Sequence, residues 1–189
     1  LLIGALDLSP LQVAQMYEYI ASDGHALPLL AVRGVVDGNG NTIKRYEVKT
    51  GSGEYQPAVR LITWAMQQVA LYGTAHSLGD SNLASLHAAG KTGTSNDLRD
   101  SWFAGFTGEH LAVFWLGRDD NKPAHLFGAT GALPVWRNLF AKLPTRPLPT
   151  APGDGLQMAW INPADGKPTE PQCSGAKQVP VVAGSLSGD

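Results

Sequence analysis

Lys91, Thr92, Gly93 and Thr94 stand in succession, running out of the apolar stretch Leu86-His87-Ala88-Ala89. One cation, two hydroxyls and a glycine on a short strand make a receptor for a carboxylate and for a developing oxyanion. Acyl transfer to a serine needs backbone N–H donors aimed at that oxyanion, each worth about 10²–10³ in rate. A strand edge facing a cleft supplies such donors at fixed spacing, and a glycine lets a ligand or a second backbone approach closely. In an ideal strand Lys91 and Gly93 face one side while Thr92 and Thr94 face the other. Spacing alone leaves open which of these groups reach the cleft.

Other chemistry-bearing residues carry less. Ser174-Gly175-Ala176-Lys177 fits a Ser-x-x-Lys pattern, but it lies in a Gly/Pro-rich stretch after Lys91 and reads as a chance match. A phosphate loop around Gly90-Lys91-Thr92 needs Gly (or Ala) at position 85, which holds Ser85. The histidines at 25, 76, 87, 110 and 125 show no metal-ligand spacing, so neither a metal nor a cofactor is expected. His87 reads as a half-buried strand residue. Asp100 reads as a strand-start residue and Arg118-Asp119-Asp120 as an ion-paired or solvated turn. Cys173, the single cysteine, excludes an internal disulfide and reads as an inert thiol.

The elements that must position the lysine can be read around it. Ser9 as N-cap, Pro10 at N1 and Gln12 at N3 predict a capped helix, with Val13, Met16, Tyr17 and Ile20 at helical spacing and Gly24 as its stop. Residues 29–36 and 42–48 read as a hairpin across the turn composition Asp37-Gly38-Asn39-Gly40-Asn41. A second helix is predicted over 57–71, its core stripe formed by Val59, Ile62, Met66, Val69 and Ala70. The strand of Lys91 follows. Residues 101–107 and 110–116 read as a strand pair around Gly108-Glu109, with Trp102, Phe103 and Trp115 as core aromatics. Val135, Leu139 and Phe140 predict a last helix over 134–142. A proline-rich extended linker then leads to short strands near 158–162 and 179–182.

Bulk properties set the class. In 189 residues, 43% are hydrophobic and 16% charged, which fits a globular protein and argues against disorder. The 22 glycines and 13 prolines call for many loops. A formal charge of -2 gives no electrostatic basis for binding nucleic acid. No apolar run reaches the roughly 18 residues of a membrane span. The apolar start, Leu1-Leu2-Ile3-Gly4-Ala5-Leu6, lacks the basic start and cleavage site of a signal peptide and reads as a chain entered mid-domain.

Taken together, Lys91-Thr92-Gly93-Thr94 and Asp100-Ser101-Trp102-Phe103-Ala104-Gly105 resemble the third active-site motif of the penicillin-binding transpeptidases and its sequel. Leu8-Ser9-Pro10-Leu11-Gln12-Val13-Ala14, Met66-Gln67-Gln68-Val69, Gly117-Arg118-Asp119-Asp120 and Gly128-Ala129-Thr130-Gly131-Ala132 follow the order of that family's class A bifunctional members, most like its Gram-negative 1b group. The resemblance covers about residues 1–145. The family also uses a nucleophilic serine in Ser-x-x-Lys and a Ser-x-Asn motif, both upstream of the lysine, and neither precedes Lys91 here.

The resemblance implies an α/β (α+β type) penicillin-recognising, serine β-lactamase-like fold: an antiparallel sheet flanked by helices, present as its C-terminal portion. Residues 1–145 would be that portion of the transpeptidase domain, and 146–189 a proline-rich linker with a short β-like tail. It implies that Lys91 shapes the electrostatics of the site and that Thr92 and Thr94 bind the carboxylate of a stem peptide or a β-lactam. Gly93 would make space, and the backbone N–H of Thr94 would be half of an oxyanion hole. The implied parent is a periplasmic, inner-membrane-anchored peptidoglycan synthase, with stem peptides and β-lactams as ligands and an outer-membrane lipoprotein as activator. Without the nucleophile this chain is expected to be inactive alone and to need the N-terminal half of the domain. Two alternatives are a non-catalytic interaction fragment and a D,D-carboxypeptidase or β-lactamase-type relative.

Overall fold

The structure, a computed structural model, describes residues 6–186. The apolar start at 1–5 lies outside them. Helix α1 (Pro10–Ala21) opens on the expected capping box: the Ser9 hydroxyl accepts from the Gln12 N–H at 3.3 Å, and the Gln12 side-chain oxygen accepts from the Ser9 N–H at 2.8 Å. Gly24 follows with φ +81°, and a β-carbon there would strike the carbonyl of Glu54, so glycine is required on two counts.

The hairpin is shorter than its apolar pattern, with β1 (Gly34–Val36) and β2 (Thr42–Arg45) antiparallel and exposed throughout. Residues 29–32 do not join it, and Arg33 adds one backbone bond, its carbonyl accepting from the Tyr46 N–H at 3.0 Å. The turn is held by the Asp37 carboxylate, which accepts from Asn39 and Asn41, and the Asn41 bonds hold its carboxyl below the usual range.

Helix α2 (Gln56–Tyr72) buries Val59, Met66, Gln67 and Ala70. Ile62, expected in that stripe, is 47% exposed. Strands β3 (Ala89–Thr94), β4 (Ser101–Phe106) and β5 (Leu111–Leu116) then form an antiparallel sheet in the order β3-β4-β5. Alternation sends Phe103, Ala112 and Phe114 to one face. There they pack with helix α3 (Ala132–Phe140) through Leu133, Trp136 and Phe140. Ala89, Phe106 and Leu111 go to the other face and meet Tyr17 and Ile20 of α1 and Met66 of α2. Burial there raises the pKa of the Tyr17 hydroxyl.

In α3 the covered stripe is Leu133, Trp136 and Phe140, so of the expected residues Phe140 is buried whereas Val135 and Leu139 are exposed. Trp136 stacks on Phe140 at 3.7 Å, meets the edge of Phe103 at 5.5 Å and donates its indole N–H to the Gly105 carbonyl at 3.1 Å.

The proline-rich segment runs without regular structure but is anchored. The Leu148 N–H donates to the Leu86 carbonyl, and the Gln67 amide donates to the carbonyls of His87 and Pro149. Arg60 grips the Asp23 carboxylate with two nitrogens and also reaches the Asp154 carbonyl, so the turn after α1, helix α2 and the tail share one guanidinium. Strands β6 (Leu156–Ile161) and β7 (Lys177–Val182) close the tail as an antiparallel pair. Among the described residues no helix is long and apolar enough to cross a membrane.

Candidate functional site

Lys91 to Thr94 occupy the last four positions of β3, an edge strand of its sheet. Ala89 and Gly90 are buried beneath α2, while the strand opens to solvent from Lys91 onward. The 3.1 Å bond from the Ser95 N–H to the Asp100 carbonyl sets the phase of the ladder. Antiparallel pairs alternate between bonded and non-bonded. Lys91 and Gly93 therefore exchange bonds with their register partners Ala104 and Trp102. The N–H and C=O groups of Thr92 and Thr94 point out of the sheet, and among the described residues no strand pairs with that edge. A row of outward N–H and C=O groups on the open half of a strand is what an anionic, peptide-like ligand requires.

The side chains add charge and hydroxyls to that edge. Lys91 departs from ideal alternation: its Nζ folds back to the outward carbonyl of Thr92 at 2.9 Å and lies 3.4 Å from the Thr92 hydroxyl. The lysine thus reaches around to the threonine face. The Thr92 hydroxyl also bonds the hydroxyl of Thr74 at 2.6 Å. Thr94 Oγ1 accepts from the Gly128 N–H at 3.0 Å, and among the described residues its own proton has no acceptor. Gly128 must be glycine, since a β-carbon there would lie 2.6 Å from the carbonyls of Gly93 and Trp102. Gly93 itself faces the Trp102 side chain, where an added β-carbon would sit at 3.1 Å.

Residues 127–131 are fixed in turn. The buried Ser101 hydroxyl donates to the Phe127 carbonyl at 2.9 Å and accepts from the Ala132 N–H at 3.0 Å. The N–H groups of Ala124 and His125 both donate to the Leu98 carbonyl, docking the segment after β5 onto the β3–β4 connection.

The structure brings all four motif residues together and adds Thr74 and Gly128, neither of which was expected as a site residue. Gly128 belongs to a glycine-rich run that was visible; Thr74, in the turn after α2, carried no such signal. His87 is not in a strand: it ends a short 3-10 turn with φ +48° and is exposed, because Ala88 takes the buried position. Trp115 is 38% exposed and not core, since α1 covers only the Phe106 end of that face. Arg118 and Asp120 form the expected ion pair at 2.9 Å, which lowers the Asp120 pKa to about 2. Ser174 lies in an exposed turn before β7, far along the chain from the sheet edge. Two cavities, of about 160 Å³ and about 410 Å³, flank α2, and neither is lined by any residue of the Lys91 motif.

Residues 2–126 match the family model described as the penicillin binding protein transpeptidase domain. The chain is 38% identical over 156 residues to penicillin-binding protein 1B of Escherichia coli K12, covering 82% of this chain and 18% of that protein. It is 44% identical over 136 residues to penicillin-binding protein 1B of Vibrio cholerae, covering 72% of this chain and 17% of that one. Among solved structures, penicillin-binding protein 1A of Haemophilus influenzae superposes with a TM-score of 0.72 at 19% identity, over 94% of this chain and 32% of the other. The chain thus spans less than a fifth of the two relatives' length.

Proposed function

Because this chain belongs to the penicillin-binding protein transpeptidase family, we propose that it supplies one wall of the acyl-transfer site of a peptidoglycan D,D-transpeptidase. Its fold is the penicillin-recognising one. The observation that carries the reading is the open half of β3, where the backbone groups of Thr92 and Thr94 point outward beside a lysine ammonium.

A serine from the rest of the domain attacks the carbonyl of a terminal D-Ala-D-Ala. Negative charge moves to the carbonyl oxygen, which the N–H of Thr94 and the N–H of the nucleophile receive. The Thr92 and Thr94 hydroxyls hold the terminal carboxylate, and Lys91 offsets its charge at short range, where the attraction is strongest. D-Alanine leaves, and an amine of a neighbouring stem peptide takes the acyl group. A β-lactam follows the first half of this course and stalls as an acyl-serine.

Residues 1–145 form the C-terminal portion of the transpeptidase domain, and 146–189 form a linker and tail. The intact protein acts in the periplasm from an inner-membrane anchor, under an outer-membrane lipoprotein activator. The exposed apolar residues of α1 and the hairpin, among them Leu11, Met16, Val36 and Ile43, favour assembly with the rest of that protein. The chain alone is inactive.

Proline at position 94 tests the donor. It removes an N–H that points away from the ladder, a place where edge strands tolerate proline. In the intact transpeptidase, Thr94→Pro should slow acylation by a fluorescent penicillin about 10²–10³-fold relative to Thr94→Val, which loses the hydroxyl but keeps the N–H. Equal rates in the two variants would remove Thr94 from the oxyanion hole.

A further inference from the structure

Asp100 stands one residue before β4, and its hydrogen bonds converge on the residue that follows Thr94. Its carboxylate accepts from the Ser95 hydroxyl at 2.7 Å, and its N–H donates to that hydroxyl oxygen at 2.8 Å. Its carbonyl accepts from the Ser95 N–H at 3.1 Å. The second carboxylate oxygen accepts from the Trp115 indole N–H on β5 at 2.9 Å. One carboxylate therefore ties the exit of β3, the start of β4 and the end of β5. Gly117 accommodates this clasp, since a β-carbon there would meet the Trp115 ring and lie 3.1 Å from the Asp100 carboxylate.

The connection that the clasp closes contains Asp97 and Leu98 at φ +58° and +56°, a region that side-chain-bearing residues rarely enter. Such a loop keeps its shape only when its surroundings hold it. Only one backbone–backbone bond joins Ser95 and Asp100, because the Asp100 N–H goes to the Ser95 hydroxyl, and that hydroxyl in turn donates to the carboxylate. The charged acceptor adds bonds about twice as strong as neutral ones. On the opposite flank the Gly128 N–H holds Thr94 Oγ1. Thr94 is thus braced on both sides, and the brace on the Ser95 side depends on Asp100.

We propose that Asp100 is a positioning residue for acyl transfer, holding the N–H of Thr94 where the oxyanion develops. This rests on the reading of Thr94 as an oxyanion donor. Asp100 itself touches no substrate. Its effect falls on the step that develops charge and not on initial binding, because ground-state carbonyls demand less exact placement than the transition state. A misplacement of about 1 Å at such a donor costs about 10²-fold in rate.

The test uses the intact transpeptidase, with the acylation rate constant per active site and the dissociation constant of the initial complex measured separately for a fluorescent penicillin. Asp100→Ala should slow acylation roughly 10–100-fold while leaving the dissociation constant close to its original value. Asp100→Asn should restore most of the rate, since its amide oxygen still accepts from Trp115 and its backbone still bonds Ser95. Trp115→Phe, which keeps an aromatic side chain but removes the indole N–H, should fall between them. If Asp100→Ala fails to fold, the Trp115→Phe and Asp100→Asn rates decide. Unchanged rates per active site, with the loss appearing only as fewer folded molecules, overturn the proposal. An unsubstituted transpeptidase that takes no penicillin overturns the reading of the site and this role with it. Normal acylation of that protein alongside unaffected variants overturns the role of Asp100 alone.

Discussion

Incubated under native conditions with a fluorescent penicillin, residues 1–189 on their own should form no covalent adduct, whereas the intact transpeptidase should label stoichiometrically. The β3 edge can offer a backbone donor, two hydroxyls and an ammonium, but it offers no serine placed to attack. Ser174, the one serine in a Ser-x-x-Lys pattern, lies in a turn beside β7 and not at that edge. Removing the nucleophile of an acyl-transfer constellation costs on the order of 10⁶ in rate, which one oxyanion donor at about 10²–10³ cannot offset. In-gel fluorescence after denaturation reads the result directly. A stoichiometric band from the isolated chain would mean that one of its own serines is the nucleophile, and the division of labour proposed above would fail.

Replacing Trp136 with alanine should destabilise the fold by about 3–5 kcal/mol, the range for a large aromatic removed from a packed core. Trp136 is fully buried, stacked on Phe140 and set edge-on to Phe103. Its loss also strands the Gly105 carbonyl that accepts the indole N–H. Against a total stability of about 5–15 kcal/mol for an ordinary domain, that is a large share. Urea denaturation should show a lower midpoint with little change in slope. Trp136→Phe, keeping most of the ring contact, should lose less. A midpoint unchanged by Trp136→Ala would show that α3 does not hold the sheet.

What could be read in advance was what depends on near neighbours. The capping box of α1 needs only Ser9 and Gln12, three residues apart, and it forms as expected. The β4–β5 pair is carried by its own apolar content and a tight turn. In α3, however, Val135 and Leu139 are also one helical turn apart, so spacing could not rank them below Leu133, Trp136 and Phe140. The sheet decides, by presenting Phe103 to Trp136. Trp115 alternates correctly along β5 but lies beyond the reach of α1, a fact of helix placement and not of pattern.

The site divides the same way. The residue types at Lys91 to Thr94 announced the chemistry, but the direction of their backbone groups came from the phase of the ladder, fixed at Ser95 and Asp100. The bonds from Thr74 to Thr92 and from Gly128 to Thr94 join residues distant in sequence, and no local signal encodes such pairs.

A crystal structure of the intact transpeptidase acylated by a penicillin tests the central claim most directly. The carbonyl oxygen of the acyl-serine should lie about 2.7–3.1 Å from the backbone nitrogen of Thr94, with the ligand carboxylate on the hydroxyls of Thr92 and Thr94. An acyl carbonyl turned away from β3, with no contact to the Thr94 N–H, would contradict the assignment of this edge.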